Sequence, residues 1–248
     1  MSTQLVEAPV APEPSLSAGV CGLLQVLARG AKPDGSLHLR ADAGVVFGLA
    51  TAGNVPVAEV SAKWIPSFAL RCLEERAALP WRVSLAAMRG RASVDPQSLS
   101  AVACSWSIER VYRNPRKPDS PYGKEWGWPE DRVAEIMAGI EAFSAPPTMI
   151  VLGLPSVVAV WALDEPMPAA GPVDQAKVML LMRALAARVG ADIPADDMRL
   201  TDVSIPLPGV ACANQGRDVV VVPAFHPERV YSAQDIETAI AAKKGKNS

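Results

Sequence analysis

The stretch from Leu99 to Val111 reads LSAVACSWSIERV, an apolar run of small, β-branched and aromatic residues without glycine or proline, and it marks one long strand. The rest of the chain arranges itself around it. Upstream, WRVSLAAM (Trp81 to Met88) alternates like a half-buried strand. Ile65 to Leu79 carries Phe68, Leu70, Leu73 and Leu79 at roughly helical spacing and predicts a helix that Pro80 stops. GVVFGLAT (Gly44 to Thr51) reads as a strand. Leu16 to Arg29, with Val20, Leu23, Leu24 and Leu27 on one face and Gly30 beyond, reads as an amphipathic helix.

Downstream of the long strand, Tyr112 to Pro129 is a proline-broken loop, long enough to imply function or disorder. A helix then starts at Pro129-Glu130, with Val133, Ile136, Met137 and Ile140 on its apolar face. Met149 to Leu152 and Val157 to Leu163 predict two buried strands joined by a tight turn. A helix over Val173 to Val189, strands near Val203 to Leu207 and Asp218 to Pro223, and a short helix from Ala233 to Ala242 complete the order. Strands mixed with helices, with no internal repeat, imply an α/β (α+β) fold.

The chain has 248 residues, 50% hydrophobic and 20% charged, with a formal net charge of −2. That composition excludes collagen, low-complexity disorder and a membrane bundle, and any nucleic-acid contact must come from a local patch. Residues 1–14, with three prolines, read as a disordered arm that lacks the basic and apolar regions of a signal peptide; residues 15–243 read as one domain and 244–248 as a basic tail. The longest apolar run, Met149 to Leu163, is interrupted by Pro155 and falls short of the roughly 18 to 20 residues that span a bilayer. Four cysteines in or beside apolar stretches read as reduced, buried thiols, which favours the cytoplasm. Two histidines and no CxxC leave little material for a zinc site or a catalytic imidazole; the one HxE, His226-Pro227-Glu228, is not followed by CxxC. His226, between an aromatic residue and a proline, reads as structural. No Walker A, GxGxxG or GxSxG pattern is present, so neither cofactor nor metal is expected.

From about Trp81 to Ala242 the order of features resembles the archaeo-eukaryotic primase (primase-polymerase) superfamily of plasmids, phages and other mobile elements. The residues that carry the likeness are Val102-Ala103-Cys104-Ser105-Trp106-Ser107 after WRVSLAAM, Pro146-Pro147-Thr148, and Gly153 to Trp161 followed by Ala-Leu-Asp-Glu-Pro. Gly190-Ala191-Asp192, Pro206-Leu207-Pro208-Gly209-Val210, Asn214 and Tyr231-Ser232-Ala233-Gln234-Asp235 continue it. The resemblance implies a single primase-like domain with a mixed or antiparallel central sheet flanked by helices. It also implies a pattern of losses. The family's strand carries Asp-x-Asp where this chain has Ser105 and Ser107, its histidine falls at Val158, and the arginine of its Arg-x-Pro-Gly-Thr segment falls at Pro206, with Val210 in place of the threonine.

Nucleotidyl transfer in that family uses two divalent ions held by carboxylates, and serine hydroxyls cannot neutralise them. Valine and proline offer a triphosphate neither donor nor charge. The resemblance therefore implies a non-catalytic or nearly inactive accessory protein of plasmid or mobile-element DNA replication, binding single-stranded nucleic acid or a replication protein. Two other readings stay open. One is an active nucleotidyltransferase whose carboxylate set is atypical, drawn from Asp95, Glu109, Asp164, Asp192, Asp202 or Asp218, each of which also reads as a turn, cap or surface acid. The other is a protein-interaction subunit or inhibitor that does not bind DNA.

The best nucleic-acid signal is RVYRNPRKPDSPYGKEWGW (Arg110 to Trp128), where Arg110, Arg113, Arg116, Lys117 and Lys124 outnumber two carboxylates and interleave with Tyr112, Tyr122, Trp126 and Trp128. Cations track phosphates while aromatic faces stack on bases. Arg82, Arg89 and Arg91 extend the same charge. Tryptophans folded onto the core, or docked on a protein partner, explain the same residues.

Overall fold

The computed structural model describes residues 16–29, 35–41, 58–61, 81–89, 95–108, 111–113, 125–127, 130–153, 156–209 and 220–242. In chain order the elements are α1 (Leu16–Ala28), β1 (Gly35–Ala41), β2 (Ala58–Ser61), β3 (Trp81–Ser84), β4 (Ala87–Arg89), β5 (Pro96–Ser107), β6 (Val111–Arg113), β7 (Glu125–Gly127) and α2 (Glu130–Glu141). There follow β8 (Met149–Gly153), β9 (Ser156–Pro168), α3 (Pro172–Val189), a 3-10 turn at Leu200–Asp202, β10 (Ser204–Pro206), β11 (Val221–Phe225), β12 (Val230–Tyr231) and α4 (Ala233–Ala241).

The main sheet runs β10-β3-β1-β4-β5-β9-β8-β11, with β2 beside β1 and β12 beside β9. Its pairs are antiparallel except β12 with β9, which is the mixed, mainly antiparallel sheet with flanking helices that the sequence implies. β5 and β9 form its spine, with Ala103 opposite Val160 and Ser107 opposite Ser156. From Pro96 to Cys104 every residue of β5 is buried, and α1 and α3 both pack on it. An apolar strand covered on both faces needs no polar alternation, which explains the continuous LSAVAC run.

Two local devices shape this sheet. At Leu85-Ala86 the chain bends between β4 and β3. The Ser84 hydroxyl donates to Ala86 O (3.0 Å) across the bend, and Leu85 N donates to Val203 O (3.1 Å). Continued straight, the β4–β5 register of Ala87 opposite Ser98 would set Ser84 opposite Ala101; instead β3 leaves β5 and pairs with β10. The second device is the Pro146-Pro147-Thr148 step. Its proline carbonyls need donors and receive them from the Tyr231 hydroxyl (to Pro146 O, 2.6 Å) and Arg229 (to Pro147 O, 3.3 Å). Thr148 Oγ1 accepts from Ala162 N (2.8 Å), and the fully buried Trp161 donates its indole N–H to Ala145 O (2.7 Å). Phe143 meets the Trp161 ring edge to face, with centroids 6.3 Å apart.

Helix ends follow local chemistry. Pro172 opens α3, and Gly190, at φ +74°, closes it, with the N–H of Ala191 reaching back to Ala186 O (2.9 Å). At α4, Ser232 Oγ accepts from Asp235 N (3.0 Å), while the Asp235 carboxylate accepts from Ser232 N (2.9 Å). The Ser232 hydroxyl also donates to Asp235 Oδ2 (2.7 Å), and this bond first, with the Ser232 N–H second, holds the Asp235 carboxyl below its ordinary pKa.

Several boundaries differ from the sequence reading. The long strand starts at Pro96 and ends at Ser107, because the sheet pairing, which periodicity cannot register, stops there. The segment read as a loop from Tyr112 contains a small two-stranded sheet, β6 with β7, setting Tyr112 opposite Trp126. Of the strand expected at Asp218 to Pro223, the described part is β11, Val221–Phe225, and Asp218 lies outside the described residues. β1 and β2 escape prediction because GSLHLRA and AEVS are short and largely polar. The strand expected at Gly44 to Thr51, the helix expected at Ile65 to Leu79, and the arm and tail at 1–14 and 244–248 lie outside the described residues.

Two glycines should respond oppositely to the same substitution. Gly139 is exposed on α2 with open space around it, so Gly139→Ala should stabilise by about 0.5 to 1 kcal/mol through helix propensity. At Gly22 an added Cβ would lie 2.8 Å from the Phe225 ring, so Gly22→Ala should lower stability, overpacking of about 1 to 3 kcal/mol outweighing the propensity gain. Urea unfolding of the two variants measures both signs. For the α4 cap, the depressed Asp235 carboxyl contributes stability above its unfolded pKa that is lost as pH falls through its folded value. Asp235→Asn should therefore be less stable than wild type near neutrality, and the two should converge in acid when melting is followed against pH.

Candidate functional site

Where β3 leaves β5, a cleft of about 390 Å³ opens. The C-terminal part of β5, the start of β9, β3, β10, α3 and the segment after α3 all contribute to its walls. Burial along β5 changes here: Cys104 is 4% exposed and Trp106 3%, whereas Ser105 and Ser107 are exposed and line the cleft. Val158 is the register partner of Ser105 and also lines it. Three of the positions singled out by resemblance, Ser105, Ser107 and Val158, are thus brought together by β-sheet register. Pro206 is buried and outside the lining, but its register partner across β3 is Arg82, which is in the cleft.

Asp192 is the residue that sequence reasoning underrated. The left-handed turn at Gly190 ends α3 and directs the chain to the edge of β5 that β3 vacates. There Asp192 N donates to Ser105 O (2.8 Å), and Asp192 Oδ2 accepts from both Ser107 N and Ser107 Oγ (2.6 Å each). One residue thus substitutes for a missing strand. Arg183 of α3 fastens the next residues by donating to Pro194 O (3.2 Å) and Ala195 O (2.6 Å). It also pairs with Asp196 at 3.2 Å. The legible signal was Gly190-Ala191-Asp192 itself, a helix-stopping glycine two residues before an acid.

Among the described residues that line the cleft, Arg82 is the cation. Its Nε donates to Ser204 Oγ (2.9 Å) and its Nη2 to Ser204 O (2.7 Å), so one edge of the guanidinium is fixed on β10. Cys104 contributes wall and not chemistry, because burial pushes its thiol pKa up and disfavours the thiolate.

The fold implies a test of metal fit. A two-ion clamp needs carboxylates that bridge ions about 3.5 to 4 Å apart. The β5 donors are neutral hydroxyls, and Asp192 Oδ2 is engaged by Ser107. Among the described residues no three His, Cys, Asp or Glu side chains converge on a common point. The cleft's described residues do not fit that clamp.

Of the proposed nucleic-acid residues, Arg113 and Trp126 are described as backbone in β6 and β7, with Arg113 opposite Glu125. Arg110, Arg116, Lys117, Lys124 and Trp128 lie outside the described residues, as do Glu109 and Asp218. His226 sits beside Glu228 at 3.4 Å and does not line the cleft.

No protein-family model matches the sequence, and neither does any curated protein. Solved structures do match. The archaeo-eukaryotic primase domain of the primase-polymerase of cyanophage S-2L is 14% identical, with a TM-score of 0.54, over 90% of this chain and 96% of that one. The catalytic domain of primase RepB′, solved in complex with initiator DNA, is 13% identical over 88% of this chain and 93% of that one, with a TM-score of 0.44. A second RepB′ primase structure is 13% identical over 87% and 61%, with a TM-score of 0.42. The bent sheet with its cleft, and an alignment with the cyanophage domain that spans nearly all of both chains, give this protein the fold of an archaeo-eukaryotic primase-polymerase domain.

Proposed function

We propose that this chain is a non-catalytic or nearly inactive primase-like accessory protein of plasmid or mobile-element DNA replication, acting in the cytoplasm on single-stranded nucleic acid or a replication partner. The observation that carries the reading is the pairing of Ser105 with Val158 at the cleft, with Ser107 beside them hydrogen-bonded to Asp192. Those positions supply no carboxylate pair for two cations and no imidazole for a triphosphate. Among the described residues no helix is long and apolar enough to cross a membrane.

The nucleic-acid half of the proposal rests on Arg110 to Trp128. β6 and β7 bring its two ends together, so that Tyr112 and Trp126 share a register position. Arg113, Arg116, Lys117 and Lys124 all lie in sequence between Tyr112 and Trp126, with Tyr122 among them. Phosphate contacts and base stacking are the chemistry such a segment offers.

Asp192 favours a second reading, an active nucleotidyltransferase with an atypical carboxylate set, because one acid does reach the cleft. It needs further acids, and Glu109, two residues beyond Ser107, is the nearest in sequence.

Under the main reading, template-dependent primer synthesis from nucleoside triphosphates with Mg²⁺ or Mn²⁺ is absent. Dinucleotide formation that disappears in Asp192→Asn or Glu109→Gln would establish the second reading instead. Anisotropy with labelled single strands should give weak binding whose log-log salt slope is near −2, by the rule of about −0.7 per phosphate, if Arg113, Arg116 and Lys117 each meet one. Replacing all three by alanine should flatten the slope, while Trp126→Ala should cost about 1 to 3 kcal/mol and leave it unchanged. No binding at low salt, or binding indifferent to these changes, points to an interaction subunit or inhibitor that does not touch DNA.

A further inference from the structure

Five large apolar side chains are exposed among the described residues, and four of them lie on α3 or on the segment that Arg183 ties to it: Val173, Leu180, Ile193 and Met198. Scattered apolar residues on a surface need no explanation, but a cluster does. On one side α3 buries Val178, Leu181 and Leu185. On the other, Val173, Ala176, Leu180, Ala184 and Ala187 are all exposed, and at roughly 3.6 residues per turn they fall within about 40° of Leu180. The charges that border this stripe are Lys177 and Arg183, and Arg183 is occupied by Pro194, Ala195 and Asp196. An ordinary surface helix turns charged residues outward, and a helix that is apolar on both faces is one that packs on both.

The stripe is also symmetric about its middle. Leu180 lies at the centre of the 18-residue helix, with Ala176 and Ala184 four residues to either side of it and Val173 and Ala187 seven. A two-fold axis at Leu180 lays such a stripe on a copy of itself. Leu180 then meets Leu180, while Ala176 and Val173 come level with Ala184 and Ala187 of the second copy. The three alanines let the helix axes approach to the short end of the usual range, about 8 Å. An antiparallel alignment also brings opposite charges together. Asp174 is in the first turn of α3 and Arg188 in the last, so each end of the pair joins an acid to a base, and the helix dipoles oppose. Parallel helices would set like charges and like dipoles side by side. Lys177 stands at the edge, where its stem covers apolar neighbours while its ammonium stays in water.

We propose that the exposed face of α3 is a homodimer interface, on which a second copy of this chain packs its own α3 antiparallel with Leu180 at the two-fold axis. The proposal goes beyond the function proposed above and does not rest on it. A contact about 27 Å long, the length of this 18-residue helix, and one helix wide is small. The dimer should accordingly be weak, with a Kd of roughly 1 to 100 µM. The cleft borders the C-terminal half of α3, so an antiparallel pair carries its two clefts toward opposite ends of the interface.

Sedimentation equilibrium of the full chain, from about 1 to 300 µM, tests the proposal. The mass should climb from that of one chain toward that of two. Leu180→Glu sets two carboxylates face to face at the axis and should weaken association at least about tenfold. Because Leu180 is exposed in the single chain, the melting temperature of this variant at a dilution where wild type is monomeric should match that of wild type. Cysteine variants read the orientation, with wild type as the control for the native thiols. Under mild oxidation Leu180→Cys should link to itself, and Val173→Cys should link to Ala187→Cys in a mixture but not to itself. The mass of one chain throughout the range, a dimer indifferent to Leu180→Glu, or Val173→Cys linking to itself overturns the proposal. A lowered melting temperature of dilute Leu180→Glu also overturns it, since another segment of this chain then covers the face.

Discussion

An inner strand that loses a neighbour partway along must find other partners for its exposed N–H and C=O groups, and this constraint organises the molecule around the end of β5. β4 satisfies the first residues of that edge and the bend at Leu85-Ala86 then carries β3 away. Ser105 O and Ser107 N would be left facing a gap. Asp192 answers both, with its backbone N–H for one and its carboxylate for the other. The gap stays open as a cleft because a single residue, and not a full strand, completes the hydrogen bonding of this edge.

That arrangement depends on α3 and on the segment beyond its C-terminus. The helix must stop where its C-terminus overlies β5, and Gly190 allows the left-handed turn that sends the chain back to the strand. Arg183 then fixes the next residues through the carbonyls of Pro194 and Ala195. On the far side of the spine, the Pro146-Pro147-Thr148 step does comparable work, since its carbonyls and threonine hydroxyl tie β9 to the chain entering α4. Both connections use polar groups near the sheet to settle geometry that apolar packing alone leaves loose.

The fold and the chemistry at its cleft separate cleanly. Burial of β5 between α1 and α3, and its pairing with β9, depend on apolar surface and backbone hydrogen bonds and are indifferent to whether residues 105 and 107 are serine or aspartate. The charge that the cleft presents changes with those two residues. Among the described lining residues one arginine and one aspartate stand with neutral hydroxyls and a valine in register, where carboxylates at 105 and 107 would add negative charge that favours cations. A sheet can therefore keep its topology while its cleft changes the kind of ligand it accepts.

The sequence by itself determined the helices with a clear apolar face and the buried strands, because burial leaves a periodic or continuous apolar trace: α1, α2, α3, β8 and the body of β5 lie within a few residues of where spacing puts them. The order of Pro146-Pro147-Thr148, Trp161, Gly190-Ala191-Asp192 and Tyr231-Ser232 also made the fold legible, since each marks a turn or cap whose chemistry is local. Only the tertiary structure decided which side chains share the cleft. Ser105 meets Val158 through register across some fifty residues, Ser107 meets Asp192 across the loop closed by α3, and Arg82 meets Ser204 across still more chain. Short polar strands such as β1 and β2 stayed hidden for a related reason: their pairing is fixed by neighbours distant in sequence, and a backbone hydrogen bond leaves no mark on side-chain identity.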